Sequence, residues 1–445
     1  MFLLSYFYAM NGNDNMETKS FWSDSRLAGA LLFLSAVLSI VIANSPLAEG
    51  FHHLLETSFG ITLGSLSVSK SIHHWVNDGL MAIFFFVVGL ELKREIIAGE
   101  LSDPRKAMLP IAGAIGGMVV PALIYLFFNS NGPGNAGWGI PMATDIAFAL
   151  GVLHLLGNRI PISLKVFLTA LAVADDIGAV LVIAFFYTSD INLMSLGIAG
   201  LILAFMITAN RLGVRNTTFY AVFSICGLWL CFLMSGVHPT IAAVLAAFTI
   251  PANVKLPETD YLTKLERLMS KFRAALPNGK PTVTEEQLHI LEDIRTATKH
   301  ALTPLQRLEH MLHPLVSLLI MPIFALCNAG FVIGDGFWSG LLHPVSIGAF
   351  LGLVVGKFIG VAGVVVLFHK MRWSPLPTGM GYRHVVGAGL LAGIGFTMSL
   401  FVAGLAFPFG TMMENAKIGI ISASVVAGVL GYLILSRAPT TEKDG

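Results

Sequence analysis

The stretch LTALAVADDIGAVLVIAFF, residues 168–186, decides the fold of this chain. It is apolar over about the 20 residues that a helix needs to cross the hydrocarbon core of a bilayer. Two adjacent carboxylates, Asp175 and Asp176, lie in its middle. An ionised side chain at that depth costs roughly 2.5–3.5 kcal/mol even on lenient insertion scales. The stretch therefore predicts a membrane-spanning helix whose aspartates serve a function.

The aspartate doublet favours a site that holds cations. Neighbouring helix positions differ by about 100°, so the two carboxylates flank one cavity and meet different partners. Two carboxylates this close in a low dielectric repel each other unless a proton or a metal cation intervenes. The alternative is a structural ion pair, for which a doublet in mid-span is a costly solution.

The composition of the chain agrees with a membrane protein. Of its 445 residues, 55% are hydrophobic and only 12% are charged, which is about half the charge of an ordinary soluble domain. This excludes a soluble enzyme and a disordered protein. The formal net charge of +1 provides no general attraction to nucleic acid, so no nucleic-acid partner is expected.

Twelve apolar segments predict an all-α polytopic membrane protein. They lie near 27–44, 77–96, 107–129, 138–156, 165–187, 194–210, 217–234, 238–252, 311–331, 344–368, 384–407 and 416–436. The chain then divides into an N-terminal tail (1–25), a transmembrane domain (26–436) and a C-terminal tail (437–445). One long charged loop, residues 253–310, interrupts the spans, and we expect it to form a solvated hairpin with two amphipathic pieces.

Basic residues lie almost entirely on one side of these spans. Of 27 Lys and Arg residues, 24 fall on the side that carries both termini and the 253–310 loop. Only Lys70 and Lys417 fall on the opposite side, and Lys357 lies within a span. Because loops rich in Lys and Arg stay in the cytoplasm, both termini are predicted to be cytoplasmic.

A second buried acid, Asp145, lies in GIPMATDIAFALGVL, residues 139–153. Pro141 lacks a backbone N–H and disfavours helix in the residue before it, so we expect a broken helix near 141–145. The break frees backbone carbonyls and the Thr144 hydroxyl, which are the oxygen ligands that hard cations prefer. Asp145 alternatively caps the second half-helix, and the two roles are compatible.

The buried base, Lys357, lies in IGAFLGLVVGKFIGVAGVVV, residues 347–366. Three glycines around it, Gly352, Gly356 and Gly360, recur every four residues and predict close packing of another helix. Asp175 or Asp176 is the available partner for the lysine. A purely stabilising salt bridge is the alternative interpretation.

The layout of the spans indicates an internal repeat. Glycines predict a second broken helix at 387–399, so the fourth and eleventh spans are both interrupted. Each is the middle helix of a three-span group, 107–187 and 344–436. Paired interrupted helices are typical of transporters built from inverted repeats, and an odd number of spans requires the second group to be inverted. These groups form the predicted core, and the spans within 27–96 and 194–331 form an interface.

Several motifs together resemble the NhaA family of bacterial sodium/proton antiporters, over residues 26–435. They are NDGLMAIFFFVVGLELKRE (77–95), AIGGMVVPALIY (114–125), PMATDIAFALGVL (141–153), ALAVADDIGAV (170–180), SGVHPTIAAV (235–244), RLEHMLHP (307–314), GKFIG (356–360) and GIGFTMSLFVAGLAF (393–407). The chain departs from the family pattern at a long insertion, 255–303, and at Phe358, where the family commonly has proline.

The resemblance implies a role for each buried charge. Asp176 is expected to bind the transported cation and Asp175 to pair with Lys357. Thr144 and Asp145 match the broken-helix motif of the family, in which Asp145 compensates the helix N-termini and Lys357 the C-termini. A further group of residues is implied to sense pH near the cytoplasm. It consists of Glu91, Arg94, Glu95, Glu309, His310 and His313. From the residues alone, ordinary interfacial side chains are the favoured interpretation of the two histidines.

The resemblance also implies an activity and partners. It predicts an electrogenic, pH-regulated antiporter that exports Na⁺ or Li⁺ in exchange for H⁺ by alternating access. The expected setting is the lipid bilayer of the bacterial inner membrane, with a homodimer as the assembly. No cofactor and no enzymatic reaction are implied.

Three rival functions are weaker. A Na⁺-coupled solute symporter needs polar groups for an organic substrate, but the predicted breaks offer mainly Thr144, Thr397 and Ser399, which favour a small ion. An intramembrane aspartyl protease needs a Gly-x-Gly-Asp setting, and the nearest string is VIGD at 332–335. A channel is disfavoured by the repeat layout.

Overall fold

The fold comes from a computed structural model that describes residues 25–438, apart from 64–65, 189–190, 276–280, 335 and 408–409. The predicted terminal tails therefore lie almost wholly outside the described residues.

The described residues form an all-α bundle with one small hairpin, as the apolar segments predict. The helices of the first half are α1 (Ser25–Ala43), α2 (Ala48–Glu56), α3 (72–98), α4 (Pro104–Asn129), α5 (Ile146–Leu155), α6 (Ile162–Phe186), α7 (Leu193–Arg211), α8 (Thr217–Ser235) and α9 (Pro239–Thr249). Those of the second half are α10 (Glu258–Ala274), α11 (Glu285–Ala301), α12 (Pro304–Asn328), α13 (Phe337–Leu341), α14 (Pro344–Lys370), α15 (Tyr382–Leu391), α16 (Phe396–Ala406) and α17 (Thr411–Ser436). Short 3₁₀ helices cover Glu100–Ser102, Pro133–Met142 and Gly157–Arg159.

Each of the twelve predicted segments corresponds to a helix or to a broken helix pair. Among the described residues, seven helices are long and apolar enough to span a bilayer, and three bent helix pairs raise the number to ten. The other two predicted spans correspond to α3 and α9. Helix α3 carries four charged residues near its end, and α9 has only 11 residues. Large apolar side chains such as Phe127 and Leu201 are exposed on the surface of the bundle, as expected for helices that face lipid.

Both predicted helix breaks are present, and they are alike. The 3₁₀ helix Pro133–Met142 and α5 meet at a bend of 42°, and α15 and α16 meet at a bend of 42°. Each broken pair lies between two long helices in the chain, α4 and α6 in the first group and α14 and α17 in the second. The two groups therefore have the same order of elements.

The glycine stripe of α14 packs against α4, as its spacing predicts. A Cβ atom on Gly356 would lie 2.7 Å from Pro121 Cα, and one on Gly352 would lie 3.2 Å from the Pro121 carbonyl oxygen. Gly360 meets the backbone of Gly116. These contacts bring the two backbones close together beside Lys357.

The segment between α1 and α3 was not predicted to have regular structure. Helix α2 turns away from α1 by 110°, and β1 (Ser58–Leu63) then pairs antiparallel with β2 (Leu66–Ser71). The Trp75 indole donates to the Phe59 carbonyl over 2.9 Å, which ties the hairpin to the start of α3.

The predicted 253–310 loop contains two helices. Helices α10 and α11 pack together through a small apolar cluster of Leu268, Ala275 and Ile290. The next helix, α12, begins at Pro304, where Thr303 forms a capping box with Gln306. Residues 307–310 are therefore already part of a membrane-spanning helix.

The contact between α14 and α4 generates a stability prediction. Gly356→Ala should lower the free energy of unfolding by about 1–3 kcal/mol, because the new methyl group overlaps the Pro121 backbone in a packed interior. Thermal denaturation of the purified protein in detergent measures the change. Gly363→Ala on the same helix is the control, since its Cβ would meet only Ile359 Cγ2 at 3.9 Å. Equal melting temperatures for the two variants would contradict the packing argument.

Candidate functional site

The two helix breaks contact each other in the interior of the bundle. The Asp145 backbone N–H in the first break donates to the Ile394 carbonyl in the second, over 2.6 Å. Gly395 permits the approach, because a Cβ atom there would lie 3.1 Å from the Ala143 carbonyl oxygen and would collide with Ser399 Oγ. The breaks thus form one crossing, at which four helix ends meet.

Asp145 lies at the two helix N-termini of this crossing. One carboxylate oxygen accepts from Phe148 N over 3.1 Å, as an N-cap of α5. The other accepts from Thr397 N at the start of α16, over 3.2 Å, and from the Thr397 hydroxyl. Helix N-termini carry partial positive charge, so one buried carboxylate offsets two of them.

Hydroxyl groups contact the carbonyls that the breaks leave free. Each hydroxyl comes from the opposite three-span group. The Thr144 hydroxyl lies 2.8 Å from the Ala392 carbonyl oxygen, and the Ser399 hydroxyl donates to the Ile140 carbonyl over 2.8 Å. This exchange satisfies polar backbone that has no water or lipid partner at this depth.

Lys357 pairs with Asp175, which decides between the two partners that the sequence left open. Lys357 Nζ lies 2.5 Å from Asp175 Oδ2, and both side chains are fully buried. The lysine lies between two π-helical turns of α14, Gly352–Gly356 and Phe358–Gly363. Such turns are frequent at functional sites.

Thr144 links this ion pair to the crossing. Its hydroxyl also lies 2.7 Å from Asp175 Oδ2. With a single proton, the hydroxyl donates either to the Asp175 carboxylate or to the Ala392 carbonyl. Asp175 Oδ1 is buried without a hydrogen-bond partner among the described residues. The protonation state of Asp175 and the hydrogen bonds of the crossing are therefore coupled.

Asp176 is buried beside this pair and is much less satisfied. It is 4% exposed and accepts no hydrogen bond from the residues that the structure describes. Among the described residues, the carboxylates of Asp175, Glu91 and Asp145 repel its negative charge, whereas Lys357 attracts it. A carboxylate in this position has capacity for a proton or a small cation.

The six residues of the predicted pH-sensing group come together at the ends of α3 and α12. Arg94 donates to Glu95 over 3.0 Å and to Glu309. A cleft of about 250 Å³ opens beside them. It is lined by Arg94, Gln306, Glu309, His310, His313 and Pro314. Glu91 interacts electrostatically with Glu309 and also with Asp176, so it couples the two clusters.

A larger cavity on the side of Lys70 and Lys417 was not predicted. It has a volume of about 550 Å³. Phe401 is part of its lining, and the Phe401 ring packs against Phe85 and Phe324 at centroid distances of 5.4 and 6.2 Å. One wall of the cavity is therefore backed by packed aromatic rings. No spacing pattern predicts this cavity, because its lining residues come from many elements.

The bundle and the crossing define a class: a multi-pass transporter whose candidate site lies between two broken helices and is lined by ionisable and hydroxyl groups. Comparison with known proteins agrees. The family described as Na+/H+ antiporter 1 matches residues 19–435. The chain therefore belongs to the NhaA family of Na⁺/H⁺ antiporters, which are transporters and not enzymes.

Individual relatives cover nearly the whole chain. The Na(+)/H(+) antiporter NhaA of Oleidesulfovibrio alaskensis is 48% identical over 94% of this chain and 93% of its own length. The NhaA of Helicobacter pylori strain J99 is 45% identical over 95% of each chain. These similarities confirm the resemblance drawn from the motifs and give no support to a solute symporter.

The buried ion pair generates a second prediction. Lys357→Met should lower the free energy of unfolding by about 3–5 kcal/mol, because it leaves the Asp175 charge buried and unpaired. The double variant Asp175→Asn, Lys357→Met should recover part of this loss, since it removes both charges. Thermal denaturation in detergent measures both. Lys106→Met, on the exposed first turn of α4, is the control, and a double variant less stable than Lys357→Met would contradict the ion pair.

Proposed function

We propose that this chain exchanges Na⁺, or Li⁺, for protons at Asp175 and Asp176, beside the crossing of the two broken helices. The proposal rests on the contrast between the neighbouring residues Asp175 and Asp176. Asp175 has a lysine and a threonine as partners, whereas Asp176 is buried and accepts no hydrogen bond from the described residues. Carboxylate and hydroxyl oxygens suit a hard monovalent cation.

Exchange follows from competition for the same oxygens. A proton on Asp176 neutralises the carboxylate and removes its attraction for Na⁺, and bound Na⁺ disfavours the proton in turn. Only one kind of ion therefore occupies the site at a time. Strict alternation of occupants is what antiport requires, because neither ion then crosses without the other.

The ion pair supplies a second exchangeable proton. If Na⁺ draws Asp175 away from Lys357, the lysine loses the charge that stabilises its protonated form, and a buried lysine without a partner releases its proton. Two protons would then enter for each Na⁺ that leaves. Transport would move one net charge inward, worth about 2.3 kcal/mol per 100 mV of membrane potential.

Alternating access fits the division of the chain into core and interface. The two three-span groups share the crossing and the contact of α14 with α4, so we expect them to move together as a core against the interface spans. Inverted repeats provide two related conformations of such a core, open to opposite sides. The proposed site lies within the core and would be exposed to each side in turn.

The proposed cytoplasmic pH sensor is the group around Arg94 and Glu309. Histidine titrates near neutral pH, and His310 and His313 line the same cleft as this ion pair. Glu91 interacts with both this cluster and Asp176. Protonation at the cleft would thus change the electric field at the ion site and regulate transport.

The proposed location is the bacterial inner membrane, with both termini in the cytoplasm. The one-sided distribution of Lys and Arg supports this orientation, and family membership supports the location. A reporter enzyme fused after Gly445 would test the side of the C-terminus, and external activity would overturn the orientation. The proposed homodimer rests on the family alone, and cross-linking in native membranes tests it.

Removal of the Asp176 charge is the direct test of the site. Asp176→Asn should abolish the Na⁺-induced collapse of ΔpH in everted vesicles from an antiporter-deficient strain, because the amide neither ionises nor binds a proton in this range. Asp103→Asn is the matched control, since Asp103 is exposed and only caps α4. Full activity of Asp176→Asn, or equal loss in both variants, would rule out the proposed site.

The pH sensor generates a separate prediction. Glu309→Gln should shift the midpoint of the activity–pH profile to lower pH, because removal of a negative charge favours proton loss from the neighbouring groups. Initial rates at saturating Na⁺ from pH 6 to 9 measure the shift. Glu292→Gln, on the exposed face of α11, should leave the midpoint in place. An unshifted midpoint for Glu309→Gln would exclude this cluster as the sensor.

A further inference from the structure

A serine outside both broken spans completes the crossing. Ser424 lies in the middle of α17 and is buried. Its hydroxyl oxygen accepts from Phe396 N over 3.1 Å and the hydroxyl donates to the Ile420 carbonyl over 2.8 Å. Phe396 is the first residue of α16, so this bond holds the helix end that faces Asp145.

The N-terminus of α16 depends on this bond because it has no cap of its own. The N-cap residue is Gly395, and a side chain there would collide with Ser399 Oγ. The next amide, Thr397 N, donates to Asp145. Without Ser424, the buried Phe396 N–H would either lose its acceptor or compete for the Asp145 carboxylate, which already serves α5.

The position of Ser424 corresponds to that of Asp175 in the other three-span group. Each residue stands thirteen positions beyond the first residue of its helix, Ile162 or Thr411. Each lies within hydrogen-bond distance of the break in its own group, Asp175 Oδ2 at 2.7 Å from the Thr144 hydroxyl and Ser424 Oγ at 3.1 Å from Phe396 N. The third helix of each group therefore provides an acceptor at the same register.

The first helices of the two groups also have matching positions. Here the charged residue belongs to the second group. Lys357 stands thirteen positions beyond Pro344, and Gly117 stands thirteen beyond Pro104. A Cβ on Gly117 would lie 3.7 Å from Lys357 Nζ, so the two equivalent positions face each other. One group provides the carboxylates, and the other provides the lysine and an uncharged cap.

We propose that Ser424 is a positioning residue of the ion site, which sets the apparent affinity for Na⁺ through α16 and Asp145. The inference rests on the proposed ion site. Loss of the cap adds uncompensated positive potential at the crossing and draws Asp145 from its present partners. Both effects weaken the binding of a cation and leave the translocation step unchanged.

The experiment compares Ser424→Ala with Ser424→Thr, which keeps the hydroxyl, and with Ser424→Cys, which keeps the size but accepts weakly. Ser346→Ala is the matched control, because Ser346 is as buried in the same three-span group and its hydroxyl has no partner among the described residues. Purified variants in proteoliposomes provide the apparent KM for Na⁺, the maximal rate and the pH profile.

Ser424→Ala should raise the apparent KM for Na⁺ by about threefold to tenfold, the effect of one buried hydrogen bond, at an unchanged maximal rate. Ser424→Cys should give a smaller rise, and Ser424→Thr and Ser346→Ala should match the parent protein. If Ser424→Ala does not insert into the membrane, the apparent KM values of the Ser424→Cys and Ser424→Thr variants test the inference.

An unchanged KM in Ser424→Ala and Ser424→Cys would overturn the inference, as would an equal rise in Ser346→Ala or a fall in maximal rate alone. The result is distinct from that of Asp176→Asn. If the proposed site is wrong, Asp176→Asn retains transport. If only the role of Ser424 is wrong, Asp176→Asn still abolishes transport.

Discussion

The buried ion pair between Lys357 and Asp175 is the constraint on which the structure depends. Two charges without exposure to water are stable only if each has its partner, so α14 and α6 must keep their register. The glycines of α14 bring its backbone against α4, and Thr144 connects Asp175 to the first helix break. One interaction thus fixes three long helices and one break relative to each other.

The crossing provides hydrogen-bond partners for the backbone groups that the helix breaks leave free. Interrupted helices expose amides and carbonyls at a depth where lipid offers no hydrogen bond. Asp145 and Ser424 hold the amides of α16, and hydroxyls from opposite groups hold the carbonyls. Since these partners come from other segments, each break depends on the rest of the bundle for part of its hydrogen bonding. The proposed ion site and the folded core therefore share these contacts.

The sequence predicted the elements better than the contacts between them. Proline, glycine and buried charge have strong local signatures, so both breaks, the twelve segments and the stripe on α14 were found. The choice of Asp175 as the partner of Lys357 depends on helix rotation, which periodicity leaves open. Ser424 was not singled out, because serine in an apolar helix costs little and gives no pattern. The β hairpin was missed because its two six-residue strands lie outside the long apolar segments from which the fold was predicted.

The charges of the crossing explain why the proposed site suits one monovalent ion. Each helix N-terminus contributes about half a positive charge, so the two that Asp145 contacts balance its carboxylate. Lys357 balances Asp175. In the proposed mechanism Asp176 then carries the one uncompensated negative charge as long as Lys357 keeps its proton, and an arriving Na⁺ meets the site in this state. A divalent cation that arrives while Lys357 is protonated would leave an excess positive charge in a buried site of low dielectric, and that imbalance disfavours its entry without any steric barrier.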